Sequence, residues 1–415
     1  MPVVLVGTLD TKGPELRYLR DRLRELGVSE VVLVDCGIRS TATDADITAE
    51  AVAAAAGVRR SRLADAPERG AAVAAMARGV TAVVTRLHAD GRLDAIVGVG
   101  GSSGSAMIAP ALQQLPVGVP KLLVSTMASG DTRPYVGTSD IALLYPIVDI
   151  AGLNTLSERI LSNAAGAIVG MASAAQRFRP RHPARPVVAA TMYGVTTPCV
   201  EVARAWLEDH GYEVLVFHAT GPGGQAMEAL VRAGHISGVL DITPTELTDE
   251  LVGGAFSAGP GRLEAAGAVG IPQVVALGAT EIATFGPPQS VPARYRERRL
   301  LAHNDHITLM RIDAAEAARL GHLLARKLDA ARGPVSLFVT DGGFSSLSTP
   351  GAVFHDAVAD RVLIDTLVGA LKPHVGVVRL ATDLNDPAVG QAMAEQLHAF
   401  LDQDRAGPES DRGRC

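Results

Sequence analysis

Short apolar, β-branched runs recur along the first half of this chain, separated by longer stretches whose apolar residues return at helical spacing. The pattern predicts strands at 2–7, 30–35, 94–99 and 120–125, with helices near 14–27, 46–57, 67–89 and 103–113. Runs such as 2–6 are apolar at successive positions rather than alternate ones, as in strands buried on both faces. Strand and helix alternating in this order yield a right-handed, doubly wound parallel sheet. A small-residue-rich helical stretch at 152–175 closes this domain, and the Arg- and Pro-rich 176–186 reads as a linker. The pattern then restarts, with strands predicted at 186–191, 212–217, 237–241, 273–277, 335–340 and 375–379. The expected fold class is α/β, with two doubly wound, Rossmann-like parallel-sheet domains at 1–178 and 185–401 facing a cleft. Residues 402–415, charged and Gly/Pro-containing, are expected to be a frayed tail.

Composition narrows the picture further. At 415 residues the chain exceeds one ordinary core, which agrees with two domains. Aromatic residues make up only 4 %, so helices can pack closely on the sheets. A formal net charge of -6 provides no basic field, which argues against nucleic acid and acidic membrane surfaces as partners. Cys36, Cys199 and Cys415 lie far apart without CxxC spacing, so neither a structural zinc nor a disulfide framework is expected. No signal peptide and no apolar run long enough to cross a bilayer are evident, and a cytoplasmic location is the expectation.

Candidate chemistry lies where predicted strands run into polar, glycine-rich loops. The first strand enters Gly7-Thr8-Leu9-Asp10-Thr11-Lys12-Gly13, a junction that offers backbone N–H groups, hydroxyls, a carboxylate and an ammonium at the carboxyl edge of a sheet. Thr8 or Asp10 is placed to cap a helix that begins near Pro14. A second loop, Gly98-Val-Gly100-Gly101-Ser102-Ser103-Gly104-Ser105, opens a helix and combines flexible backbone with three hydroxyls. It lacks the Gly-Lys-Ser/Thr of a phosphate-binding P-loop, and its sixth position is Ser103 rather than Gly. A tight turn with no ligand accounts for the same glycines, but the serines favour an anion. In the third loop, 125–140, Thr126, Met127, Ser129 and Gly130 line up with Asp131 and Arg133. Arg133 is a candidate phosphate clamp, and Asp131 or Asp140 a candidate Mg²⁺ ligand.

The second half carries candidates of a different kind. Cys199 falls in a first helical turn, where the helix dipole favours thiolate, with His218 or His303 as its only prospective bases; a buried apolar cysteine is the simpler account. Gly221, Gly223 and Ala226 fit G-x-G-x-x-G/A after a strand, with Asp241 about 20 residues on, which is the form of a dinucleotide-binding loop and the basis for an NAD-dependent oxidoreductase reading. Glu246 starts a capped helix and is a candidate general base. His303-Asn304-Asp305-His306 would bring two imidazoles to one metal only on a helical turn, and loop hydrogen bonding explains it better.

Several long segments together resemble the Tm-1-like ATP-binding family. They are GTLDTKG at 7–13, STMASGDTRPYVGTSD at 125–140, FHATGPGGQAME at 217–228, ITPTELTDELVGG at 242–254 and FSAGPGRLEAA at 256–266, followed by PQVVALGA at 272–279, HNDHITLMR at 303–311 and GGFSSLSTPG at 342–351. The resemblance spans nearly the whole chain. It implies a two-domain α/β protein that binds ATP with Mg²⁺ and self-associates as a homodimer or larger assembly. In plant and fungal members a TIM-barrel domain follows, so a separate barrel protein is an expected partner here. The leading functional expectation is an ATP/Mg-dependent enzyme acting on a small metabolite. A non-catalytic ATP-sensing interaction module is the second, and the NAD-dependent oxidoreductase the third.

Overall fold

The computed structural model describes residues 1–64, 68–180 and 185–406. The chain divides into two compact units, Met1–Arg181 and His182–Cys415. Each is an α/β unit built on a parallel sheet.

In the first unit the elements are β1 Pro2–Gly7, α1 Leu9–Glu25, β2 Glu30–Asp35, α2 Ala49–Ala55, α3 Arg60–Ala64, α4 Arg69–Ala89, β3 Ala95–Gly100, α5 Ser102–Gln114, β4 Lys121–Ser125, α6 Arg133–Val136, β5 Ala142–Leu144 and α7 Thr155–Arg177. The strands pair in parallel in the order β2-β1-β3-β4-β5. Successive residues of β1 serve opposite faces. Val4 and Val6 pack with α2, α4 and α5, whereas Val3 and Leu5 pack with α1 and α7. This two-faced burial is why the strands read as unbroken apolar runs. Leu16, Leu19 and Leu23 present the buried stripe of α1, and each contributes roughly 1.5–3 kcal/mol on burial. By length and composition α4 could cross a bilayer, contrary to the expectation that no stretch would. Here its Met76, Val80, Val84 and Leu87 are buried in the core shared with α2 and α5.

The second unit contains β6 Val187–Met192, α8 Thr197–Asp209, β7 Glu213–His218, α9 Pro222–Arg232, β8 Gly238–Asp241, α10 Glu246–Val252, α11 Ala265–Val269, β9 Gln273–Ala276, β10 Ile282–Phe285, β11 Leu300–Asn304, β12 Ile307–Arg311, α12 Ala314–Asp329, β13 Val335–Thr340, α13 Ala357–Ala370, β14 Gly376–Leu380 and α14 Pro387–Ala406. Its parallel sheet runs β14-β13-β9-β8-β6-β7. An antiparallel sheet, β10-β12-β11, is inserted between β9 and β13, where the sequence pattern predicts helices and a loop at 303–306. Ile282 and Leu309 of this insert pack on Tyr193 and Phe354, which follow β6 and β13. His303 and Asn304 lie on β11 and Asp305-His306 turn into β12, a hairpin rather than a helical turn. Among the described residues no group of three or more His, Cys, Asp or Glu side chains could hold a metal. The expected tail is helical as far as Ala406, and 407–415 lie outside the described residues, as do 181–184 of the expected linker.

Candidate functional site

Strand order sets where a ligand can sit. In a 2-1-3-4-5 parallel sheet the connections from β1 and β3 leave in opposite directions, opening a crevice at their carboxyl ends. In the first unit that crevice is a cavity of about 760 Å³. Thr8, Asp10, Thr11 and Lys12 line it after β1, Gly101 to Gly104 after β3, and Thr126 after β4. Ile38, Arg39, Leu63, Arg69, Met107 and Asp149 are among the residues that complete the wall.

The two loops at the crevice differ in their caps: Asp35 accepts the first N–H of α1, that of Leu9, whereas α5 starts with no capping side chain. Gly101 is the N-cap of α5 and has none to offer, and Thr8, the N-cap of α1, makes no side-chain cap bond. The first-turn N–H groups of α5 are therefore left to a ligand or to water, at the positive end of a helix dipole. The glycines differ in what they do. A Cβ at Gly100 would lie 2.6 Å from the Ser105 nitrogen, so the tight turn needs glycine. At Gly101 and Gly104 a Cβ would meet nothing closer than 3.8 Å and 3.9 Å, respectively. A single turn at 9–11 precedes a kink at Lys12 (φ -133°, ψ 28°), and the longer helical piece runs on from there through Pro14, as expected. Pro14 lacks the N–H that would bond back four residues, which accounts for the irregular turn. Asp10 accepts the Arg39 N–H at 3.0 Å, and Asp35, fully buried beneath, accepts those of Leu9 and Gly37.

Charge in the cavity is unbalanced towards the positive. Among the described residues no carboxylate pairs with Lys12, Arg39 or Arg69, and the Lys12 Nζ donates only to the Ile150 carbonyl at 2.7 Å. Among the described residues, Asp10 and Asp149 are the carboxylates of the wall.

The third loop contributes less than its sequence suggests. Thr126 reaches the cavity, but Met127, Ser129, Gly130, Asp131 and Arg133 do not line it. Asp131 and Arg133 pair with each other at 2.7 Å on the exposed surface, and the guanidinium holds the carboxyl down at about 2. In this arrangement Asp131 and Arg133 engage each other and stand apart from the cavity wall. Asp140 is bonded to the buried Lys121 at 2.6 Å. Gly7, Gly100 and Ser105 lie buried behind the lining residues, and the Ser105 hydroxyl pairs with that of Ser125 at 2.6 Å. Sequence reasoning missed Arg39, Arg69 and Asp149. Arg39 was within reach, because its loop follows the strand next to β1 and so borders the same crevice.

The residues proposed for catalysis occupy a different environment in the second unit. Cys199 is fully buried, and burial, with a smaller push from Asp383, raises its thiol to about 12. It is a packing residue, not an activated nucleophile. The His218 ring lies against Tyr193 instead, 5.8 Å between centroids. Glu246 is fully buried, accepting from the Gly221 N–H at 2.7 Å, the Gly224 N–H at 3.1 Å and Arg262 Nε at 2.6 Å. Burial raises its carboxyl above the ordinary range, although Arg262 opposes this. It therefore does not face solvent as a general base must. The dinucleotide-like loop is also filled from within. A Cβ at Gly224 would lie 2.1 Å from Glu246 Oε2, so the glycine makes room for that carboxylate. Arg262, itself fully buried, also forks onto Asp241 at 2.5 and 2.7 Å.

Comparison with known proteins bears on the whole chain. The N-terminal domain of "Uncharacterised protein family (UPF0261)" matches residues 1–177, and its C-terminal domain matches 185–401. A "UPF0261 protein" of Clostridium tetani is 43% identical over 404 residues, covering 97% of this chain and 99% of that one. One from Mesorhizobium japonicum is 41% identical, covering 96% and 98%. The "ToMV resistance protein Tm-1(GCR237)" of Solanum lycopersicum is 37% identical, covering 100% of this chain and 57% of that protein. The chain belongs to the UPF0261 family.

Proposed function

We propose that the first unit binds ATP with Mg²⁺ in the cavity between β1 and β3, and that the chain uses it to modify a small metabolite. One observation carries the reading: the uncapped start of α5 meets a cavity in which, among the described residues, Lys12, Arg39 and Arg69 have no carboxylate partner. Backbone N–H groups, hydroxyls of Thr8, Thr11, Ser102 and Ser103, and the charges of Lys12, Arg39 and Arg69 together suit a polyphosphate. Ile38, Leu63 and Met107 offer an apolar surface to a base. The volume lies within the roughly 300–1,000 Å³ usual for small-molecule sites. Asp10 and Asp149 are the carboxylates that would hold Mg²⁺ beside the phosphates, where the ion would supply charge neutralisation. Thermal unfolding with Mg-ATP, Mg-ADP or NAD tests this. ATP at about 100 times its dissociation constant should add about 2.7 kcal/mol, a shift of several degrees. A shift with NAD alone, or with none of the three, would sink the reading.

Burial of Cys199 and Glu246 favours a second reading, a non-catalytic ATP sensor, because neither group is available for chemistry. The tomato relative's name, a virus resistance protein, is compatible with a binding role. ADP formation with any member of a metabolite panel would exclude the sensor. ATP-dependent self-association without turnover would support it.

A further inference from the structure

We infer that residues 145–153 form a strap that positions Lys12 over the cavity, and that Glu15 is the positioning residue that holds the strap. This rests on the nucleotide reading for its ligand, but the strap itself stands on separate contacts. Two side chains of α1 reach the same short segment. Lys12 donates to the Ile150 carbonyl at 2.7 Å, and Glu15 accepts the Gly152 N–H at 2.5 Å. Glu15 is only 1% exposed, and its second oxygen, Oε2, is buried with no partner. A buried carboxylate is costly unless bonded, so Glu15 depends on the strap as the strap depends on it.

Otherwise the segment is held by the Ile150 side chain in the core with α1 and α7 and by the Ser157 hydroxyl on the Gly152 carbonyl. Tyr145, Ile147, Val148 and Leu153 are exposed, Ile147 by 65%, and among their neighbours only Pro146 and Ile150 are buried. Ile147 has φ +66°, a conformation β-branched residues rarely adopt, and the Val148 N–H closes a three-residue turn onto the Pro146 carbonyl. Strain of this kind persists only where surroundings over-determine it, and it marks sites of function more often than ordinary loops. Asp149, within the strap, lines the cavity.

An ammonium has three donors. One of them is engaged by Ile150, which leaves two for a phosphate. Bonds from Lys12 to an anion are stronger than that to a neutral carbonyl, so a ligand that fixes Lys12 also fixes Ile150 and tightens the strap. Binding and strap order are then coupled, as for any segment that a ligand immobilises.

Hydrogen–deuterium exchange of the full chain, with Mg-ATP as the probe, tests the inference. Without ligand, Lys12→Met and Glu15→Ala should each speed exchange across 145–156 about tenfold, with second-unit peptides unchanged. Mg-ATP should slow this segment in the wild type and not in Lys12→Met. Glu15→Ala should weaken Mg-ATP binding several-fold, and Glu15→Gln should restore it, since an amide oxygen still accepts the Gly152 N–H. Should Glu15→Ala unfold, Lys12→Met and Glu15→Gln carry the comparison. Unaltered exchange in ligand-free Lys12→Met overturns the strap, as does bound Mg-ATP with no slowing in the wild type. Absence of any Mg-ATP shift in melting temperature overturns the ligand coupling together with the nucleotide reading, while the ligand-free arm still decides the strap.

Discussion

The two units share a strand order at their centre and treat it in opposite ways. Each places its second strand outside its first and its third on the other side, so each has a crevice between first and third strands. In the first unit that crevice is a cavity at the uncapped start of α5, whose cations have no carboxylate partner among the described residues. In the second the same edge is closed by its own side chains. Thr191 donates to Asp241 at 2.7 Å, the Thr196 and Thr243 hydroxyls pair at 2.8 Å, and the glycine loop after β7 wraps the Glu246 carboxylate. A glycine-rich helix start offers free backbone N–H groups to an anion. It does not specify whether the anion is a ligand or a glutamate of the same chain.

Substitutions that break this contrast should differ sharply in kind. Arg262→Met removes the cation shared by Asp241, Glu246 and Glu228, leaving buried carboxylates unpaired, and should cost about 3–5 kcal/mol in chemical denaturation. Retention of wild-type stability would show that the cluster is not a structural anion site. Lys12→Ala should do the converse, with stability nearly unchanged but Mg-ATP affinity lowered by about 1.5–3 kcal/mol in titration calorimetry. Equal affinity would remove Lys12 from the site.

The glycines allow a matched pair. Gly224→Ala should destabilise by roughly 1–3 kcal/mol, because its Cβ collides with Glu246. Gly104→Ala, with only the Val99 oxygen 3.9 Å away, should leave stability equal or raise it by up to about 1 kcal/mol through helix propensity. Similar costs for both would mean that the two loops are packed alike.

The filled edge should also report itself in pH dependence. Burial raises the Asp249 carboxyl from 3.8 to about 8. The folded state thus binds the proton more tightly than the unfolded chain. This stability is full below the ordinary value of 3.8 and is lost as pH rises towards about 8, at up to about 1.4 kcal/mol per pH unit. Asp249→Asn keeps an oxygen for the Thr284 N–H and should flatten that decline in melting temperature. An identical pH profile in the variant would assign the decline to other groups.

Legibility of the sequence followed burial. Each predicted parallel strand begins within one residue of its observed start, because two-faced burial leaves an unbroken apolar run. The antiparallel insert escaped detection because its strands are short and β11 ends in the exposed Ala302-His303-Asn304. In the first-unit site, the glycine and hydroxyl loops after β1 and β3 were visible, since both follow strong strand signals directly. Arg69 and Asp149 were not, because the fold alone brings them to the crevice, while Arg39 could have been inferred from its loop after β2. Glu246 misled because its partner Arg262 lies 16 residues away and meets it only in the fold, whereas Asp131 and Arg133 sit two positions apart and engage each other on the surface.

Photolabelling with azidoadenosine triphosphate, in competition with Mg-ATP, tests most directly which edge is open. The account predicts ATP-protected label on first-unit peptides that contain Ile38, Leu63 or Met107. Protected label at Tyr193, Thr243 or the 221–224 loop would place the nucleotide in the second unit and contradict it.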